Sequence, residues 1–166
     1  MLTNDQVTEE VIARLAAPRD TATLSQLVTE RHDCLRQLAE LGSWQLEAVR
    51  GHDMNRLLAL LAVKQRLLVG LQTLERQLDP FRRQDADERQ WISSEARQRC
   101  AQLAAESEVL LAQVVRQEIE SEQEMHKQHD ASADRLQAAH AAAMARGAYA
   151  AEDRAAVRHL DLSSDR

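Results

Sequence analysis

Leucines recur at the helical spacing of three and four residues through the stretch from Asp53 to Asp79. Counted in sevens, they hold the a and d positions, interrupted only by Lys64: Leu57, Leu60, Leu67, Leu71, Leu74 and Leu78. Leu61 and Leu68 add the adjoining e position, so the apolar stripe is wide enough for a bundle face. Because side chains of a strand alternate with a period of two, this spacing predicts a helix over residues 53–79.

The preceding stretch carries the same three-position stripe, which predicts a helix over residues 23–50. Its apolar residues at the a, d and e positions are Leu24, Leu27, Val28, Cys34, Leu35, Leu38, Leu41 and Val49. Gly51 suits the end of this helix and Asp53 suits the start of the next one. A tight Gly-His-Asp turn then joins two helices of similar length in an antiparallel hairpin.

Two further helices complete the predicted fold. Residues 5–17 form a short amphipathic helix, which Pro18 is expected to end, and residues 94–146 form a longer third helix. The apolar positions of the third helix extend to Val115 and complete a three-helix core. Pro80 is expected to end the second helix, and Phe81, Trp91 and Ile92 to fold back on the end of the bundle.

The predicted architecture is therefore all-α. A long antiparallel helical hairpin and a longer third helix form a three-helix bundle or coiled coil, preceded by a short N-terminal helix. Residues 1–151 make a single domain, and residues 152–166 a flexible C-terminal tail.

The composition limits the classes of partner and the cellular compartment that we expect. The formal net charge of −6 and the lack of a basic stripe argue against nucleic-acid binding. The chain contains no run of about 18 apolar residues, so we expect no membrane insertion. The N-terminus lacks the pattern of a secretory signal. Cys34 and Cys100 lie at apolar helix positions, which predicts buried free thiols at similar heights in the bundle. Together these features predict a cytoplasmic protein.

The candidate chemistry is sparse. Glu122, His126 and His129 share one helix face, but bundle metal sites take matching Glu-x-x-His pairs from two helices, and no second pair occurs. A solvated polar face is the favoured reading of this group. Lys64 is interpreted as a register-setting residue that snorkels out or pairs with a carboxylate, rather than as a catalytic lysine. We therefore expect no catalytic residues, no cofactor and no metal, and not an enzyme.

The segment from Arg31 to Phe81 resembles the flagellar export chaperones of the FlgN type. The residues that carry the resemblance are Leu35, Leu38, Leu41, Gln45, Gly51-His52-Asp53, Leu57-Leu58, Leu61, Lys64-Gln65, Leu67-Leu68, Leu71, Leu74, Leu78 and Pro80-Phe81. The resemblance implies a cytoplasmic, non-catalytic chaperone. Such proteins hold the C-terminal helical segments of hook–filament junction (hook-associated) proteins, prevent their early assembly and hand them to the export apparatus.

The resemblance also implies that clients bind through the C-terminal helix region. Here that region is acidic over residues 118–135, with six acidic and two basic side chains, and alanine-rich afterwards. Its large apolar side chains are the predicted partner-binding residues: Leu136, Met144, Tyr149, Val157 and Leu160. They would receive an amphipathic client helix. The alternative is that Leu136, Met144 and Tyr149 hold the short N-terminal helix.

A second function class fits the same pattern. A non-catalytic coiled-coil adaptor or structural subunit could self-associate, for instance as a homodimer, through the same extension. Deletion of the region beyond Val115 is expected to abolish client binding in the chaperone hypothesis. A monomer at high concentration would argue against the adaptor.

Overall fold

Residues 4–162 fold into three α-helices. The computed structural model describes the backbone of residues 4–162 and the side chains of residues 20–152 and 154. The helices are α1 (Asn4–Arg50), α2 (Met54–Arg82) and α3 (Ser94–Leu162), and residues 4–162 contain no strand. The predicted all-α class with a helical hairpin and a longer third helix is confirmed.

Several predicted helix boundaries are wrong. Residues 5–17 are not a separate helix, because α1 continues through Pro18 to Arg50. Pro80 likewise lies inside the last turn of α2. A proline removes one backbone hydrogen bond and can bend a helix without ending it. At the other end of the chain, residues 152–162 belong to α3 rather than to a tail, while 163–166 lie outside the described residues.

The hairpin turn forms where the sequence places it, but through a different residue. His52, rather than Gly51, adopts the left-handed conformation, with a φ of 56°. The backbone N–H of Asp53 donates to the carbonyl of Ala48 at 3.0 Å, which closes the C-terminal end of α1. The Asp53 carboxylate accepts from the N–H of Arg56 at 3.0 Å and caps α2 as predicted.

α1 is the central helix of the core. Three of its seven heptad rows are buried: Leu24, Arg31, Leu38 and Gln45; Leu27, Cys34, Leu41 and Ala48; Thr21, Val28, Leu35, Gly42 and Val49. By contrast, α2 buries Leu57, Lys64 and Leu78, and α3 buries Cys100, Ser107, Val114 and Ser121. Each of these two helices thus buries one row, because each covers one side of α1.

The buried residues form clusters at successive heights along α1. Leu24 clusters with Leu78 and Cys100 at one end, and Ala48 clusters with Leu57 near the hairpin turn. Between them, Cys34, Leu35, Leu38 and Val114 pack with leucines of α2 and α3. The first part of α3 therefore runs parallel to α1 and antiparallel to α2.

Of two predictions about packing, one is wrong and the other is confirmed in part. Cys34 and Cys100 are both buried and free, but they belong to different clusters, so the prediction of similar heights is wrong. Phe81 and Trp91 pack against the cluster at the end of the bundle, as expected. Ile92 remains exposed and does not join them.

α1 and α3 approach closely at Gly42. The side-chain amide of Gln117 donates to the carbonyl of Ala39 at 3.1 Å and to the hydroxyl of Ser43 at 2.9 Å. A Cβ at position 42 would stand 2.9 Å from the amide carbon of Gln117. A side chain at position 42 would therefore displace the Gln117 amide from these bonds.

The chain divides into two units, Met1–Glu122 and Gln123–Arg166, rather than the single domain over residues 1–151 that the pattern predicts. The buried row of α3 ends at Ser121, at the end of the first unit. In the second unit α3 stays helical through the acidic segment to Leu162.

Candidate protein-binding surfaces

Lys64, the interruption in the leucine seam of α2, joins all three helices of the first unit. It is only 5% exposed, and its ammonium group donates to the side-chain oxygen of Gln45 on α1 at 3.0 Å. It also pairs with the carboxylate of Glu118 on α3. The predicted pairing with a carboxylate is confirmed. Because these partners fix the height of α2 against α1 and α3, the pairing supports the register-setting role.

A second buried cation joins the three helices nearer the other end. Arg31 lies in the buried row of α1 between Leu24 and Leu38. Its Nε contacts the Glu75 carboxylate on α2, and its Nη2 lies 3.0 Å from the Glu108 carboxylate on α3. Sequence reasoning passed over Arg31, although its position seven residues from two core leucines was a usable signal.

The carboxyl group of Glu75 is stabilised in its charged form. Partial burial by itself raises its pKa, but hydrogen bonds from Arg82 and Arg31 and their positive charges outweigh that and hold the pKa below its ordinary value of 4.5. Ionised Glu75 therefore stabilises the fold at neutral pH. Because the pKa is lowered in the folded state, this stabilisation is lost as the pH falls through the lowered value.

Glu75→Gln is accordingly expected to lower the free energy of unfolding at neutral pH, by an amount that shrinks as the pH falls below about 4.5. Urea unfolding of the parent and the variant at a series of pH values measures this difference. Glu40→Gln, which alters an exposed carboxylate on α1, is the control, and its small difference should not vary in the same way. A Glu75→Gln difference that grew on acidification would contradict the assignment.

The outward side of α2 carries a second apolar stripe. We call it the outer stripe, and it consists of Met54, Leu58, Leu61, Leu68 and Val69. At 100° per residue these five side chains span an arc of about 100°, centred about 100° from the buried row of α2. Leu58 is 59% exposed and Leu61 39% exposed, while Leu68 is half-buried against the core. α2 thus presents an apolar strip to solvent that is interrupted by the exposed Gln65.

The outer stripe continues into a shallow depression of about 440 Å³. Its lining residues are Leu68, Leu71, Gln72, Glu75 and Arg76. α3 adds apolar surface at the same height. Leu68 lies one turn after Lys64, and Val115 lies one turn before Glu118 on the antiparallel helix, so both are displaced in the same direction from that ion pair. Val115 is half exposed.

The partner-binding residues predicted from the sequence lie on α3 in the second unit. Leu136, Met144 and Tyr149 are 73%, 65% and 72% exposed. Leu136 and Met144 are about 80° apart around the helix, whereas Tyr149 is about 140° from Met144. The helix therefore brings Leu136 and Met144 onto one face and leaves Tyr149 off it. The side chains of Val157 and Leu160 lie outside the described residues, as do those of residues 5–17 that were weighed as an alternative partner.

Another depression of the first unit lies where α2 connects to α3 and has a volume of about 260 Å³. It is lined by Asp20, Thr21, Leu24, Phe81, Gln84, Asp85, Glu88, Arg89 and Gln90. Thr21 donates to the carbonyl of Gln90 at 3.0 Å, and Arg89 donates to the carbonyl of Phe81. These bonds hold the connection against the helices.

The described part of the chain contains no group of three histidine, cysteine or acidic side chains that could hold a metal ion. Glu122, His126 and His129 do not form such a group. Burial raises the pKa of the Cys34 and Cys100 thiols, so both favour the protonated form, which is a poor metal ligand and a poor nucleophile.

By length and composition, one helix of the described residues, α2, is apolar enough to cross a membrane. Core helices of soluble bundles meet the same criteria. The bonds of Lys64 to Gln45 and Glu118 place α2 within the bundle, and we treat it as a bundle helix.

Comparison of the chain with protein-family models, curated proteins and solved structures found no match. The exposed apolar surfaces are the features of the chain that bear on its function. The resemblance to export chaperones of the FlgN type remains a prediction from the residues of the hairpin.

Proposed function

We propose that the chain is a non-catalytic, helix-binding chaperone of the flagellar export type. Its clients would be the C-terminal helical segments of hook–filament junction proteins, which it would shield in the cytoplasm until the export apparatus receives them. The observation that carries the proposal is the outer stripe of α2, an apolar strip that the rest of the first unit leaves largely exposed.

A helical client fits this strip for geometric reasons. Met54, Leu58, Leu61 and Leu68 follow one another at intervals of four, three and seven residues, which is the spacing by which two packed helices meet. Such a stripe receives the apolar face of an amphipathic helix laid along it. Val115 on α3 supplies apolar surface beside the strip at the height of Leu68. The bound client would then add a fourth helix to the bundle.

Leu136 and Met144 form a second proposed contact. They share a face of α3 and are exposed, and methionine adapts its shape to varied partners. Tyr149 lies too far around the helix to contact the same client helix as Met144.

The test is calorimetric titration of the full chain with the C-terminal segments of junction proteins from the same organism. Saturable binding is expected, weakened at least about tenfold in Leu58→Ser/Leu61→Ser, because two apolar anchors of the strip are lost. Leu136→Ser/Met144→Ser measures the contribution of the second contact. A truncation at Val115 is a poor probe, because it also removes Glu118 and Ser121 from the bundle.

Val109→Ser is the matched control, since it removes an exposed valine of α3 that belongs to neither surface. Its affinity should equal that of the parent. Circular dichroism and the urea midpoint establish that each variant keeps its fold. If no junction segment binds the parent, the chaperone proposal is wrong, and if binding survives both double substitutions, the surfaces are misassigned.

The second candidate is a coiled-coil adaptor that self-associates. The heptad-like spacing of the outer stripe favours it too, because a second copy of the chain presents the same strip. The two functions differ in what covers the strip in the absence of clients. An adaptor would bury it between copies, whereas a chaperone leaves it open.

A further inference from the structure

The arginines beside the outer stripe define the charge of the helix that docks there. We propose that the preferred occupant is an amphipathic helix with acidic side chains along one flank, which pair with Arg66 and Arg76. This inference rests on the proposed function in taking the outer stripe as a helix-binding surface. It adds the chemistry that selects one helix over another.

Arg66 and Arg76 are exposed and have no ion-pair partner among the described side chains. The one bond formed by the Arg76 guanidinium is to the carbonyl of Gln72, one turn earlier on the same helix, at 3.3 Å.

The acids of α2 are already engaged. Glu75 contacts Arg31 and Arg82, and Asp79 contacts Arg82 at 3.1 Å. The other cations of α2 are also paired, Arg56 with Glu47 and Lys64 with Glu118. The uncompensated charge of α2 is therefore positive, and it resides on Arg66 and Arg76.

The positions of the two arginines fit a ligand lying along the strip. Arg66 lies one turn before Val69, just outside the arc of the outer stripe. Arg76 lies seven residues after Val69, which places it on the same side of α2. Ten residues of helix separate them by about 15 Å. A docked helix would therefore match both with carboxylates about three turns apart on the same flank. Arginine suits this task because its guanidinium binds a carboxylate through two donors.

The expected selectivity is moderate, because exposed ion pairs contribute little individually and are screened by salt. Two such pairs, compared with two like-charge contacts, should give a preference of about tenfold at low ionic strength. The apolar strip would supply the affinity, and the arginines would determine orientation and the choice of partner.

The test uses two designed amphipathic helical peptides with the same leucine stripe. One carries glutamates three turns apart along one flank, and the other carries lysines at the same places. Fluorescence anisotropy with the full chain should show the glutamate peptide binding about tenfold tighter, with a preference that falls as salt is added. In Arg66→Glu/Arg76→Glu the preference should reverse in favour of the lysine peptide. Leu58→Ser/Leu61→Ser should weaken both peptides.

Arg116→Glu is the control, because it reverses an exposed charge on α3 and should leave the preference unchanged. Equal affinity for the two peptides, no reversal in the arginine variant, or no binding of either peptide would overturn the inference. Sedimentation with anionic phosphatidylglycerol vesicles that depends on Arg66 and Arg76, without peptide selectivity, would assign the arginines to a lipid surface and overturn it as well. If the junction segments failed to bind while the glutamate peptide still bound more tightly than the lysine peptide, only the proposed chaperone function would be wrong.

Discussion

Replacing Leu35 by alanine is expected to lower the free energy of unfolding by about 2–5 kcal/mol. Leu35 is fully buried in α1, where it packs in the middle cluster with Leu38 and Val114 and against leucines of α2 and α3. Shortening it would remove contacts to all three helices and leave a cavity that a packed core fills only in part. Urea unfolding of the full chain, followed by circular dichroism, gives the difference in free energy.

Leu58→Ala is the matched control for this prediction. It makes the same chemical change on α2, in the outer stripe, where the side chain is mostly exposed. Its effect is expected to stay within about 0.5 kcal/mol, as for other exposed substitutions. A loss in Leu58→Ala as large as that in Leu35→Ala would mean that the outer stripe is covered in the free protein, which would contradict its assignment as an open binding surface.

Replacing Arg31 by alanine is the second large effect, expected to cost about 2–3 kcal/mol. The side chain is buried in α1 and contacts carboxylates on both α2 and α3. Its loss would remove bonds to two helices together with the packing of its aliphatic stem. The loss should remain below that of a fully buried ion pair, because the Glu108 side chain is largely exposed and Glu75 keeps Arg82.

Arg36→Ala serves as the control for Arg31→Ala. Arg36 lies on the same helix and pairs with Glu40 one turn later, but both side chains are exposed. Exposed pairs of this kind contribute about 0.3–0.5 kcal/mol. If Arg31→Ala and Arg36→Ala had equal effects by urea unfolding, the buried contacts of Arg31 to Glu75 and Glu108 would not exist in solution.

The periodicity of the sequence predicts the hairpin and the α1 core well. The leucines placed at a and d positions of α1 are buried, and Asp53 caps α2. These features are local: a side chain three or four residues from the last apolar one lies on the same face, whatever the rest of the chain does. The same local reasoning wrongly ended the first helix at Pro18. The sequence around a proline does not show whether the helix stops there or continues with a bend.

The extent of burial on α2 could not be predicted in the same way. Its leucine stripe is as strong as that of α1, yet Leu60, Leu67 and Leu71 are only half-buried, and Leu61 is exposed. Burial depends on how many helices cover a face, and α1 alone is covered on two sides. The sequence assigned the whole stripe of α2 to the core, and the outer stripe was therefore missed as a binding surface.

The resemblance to the chaperone family placed the binding residues in the C-terminal region of the chain, and its large apolar side chains were chosen. Exposure of Leu136 and Met144 agrees with availability for a partner, but their binding remains a proposal. The spacing of Tyr149 could have been tested on a helical wheel without coordinates. Arg66 and Arg76 were beyond sequence reasoning, since their lack of partners depends on which acids the fold pairs with other cations.

The most direct test of the account is the mass of the chain in solution, measured by size-exclusion chromatography with multi-angle light scattering over a series of concentrations. An open outer stripe that awaits a client predicts a monomer of 18.7 kDa at every concentration. A stable mass of twice that value, which Leu58→Ser/Leu61→Ser reduced to the monomer, would contradict it. The strip would then be an interface between two copies, and the result would favour the adaptor function over the chaperone function.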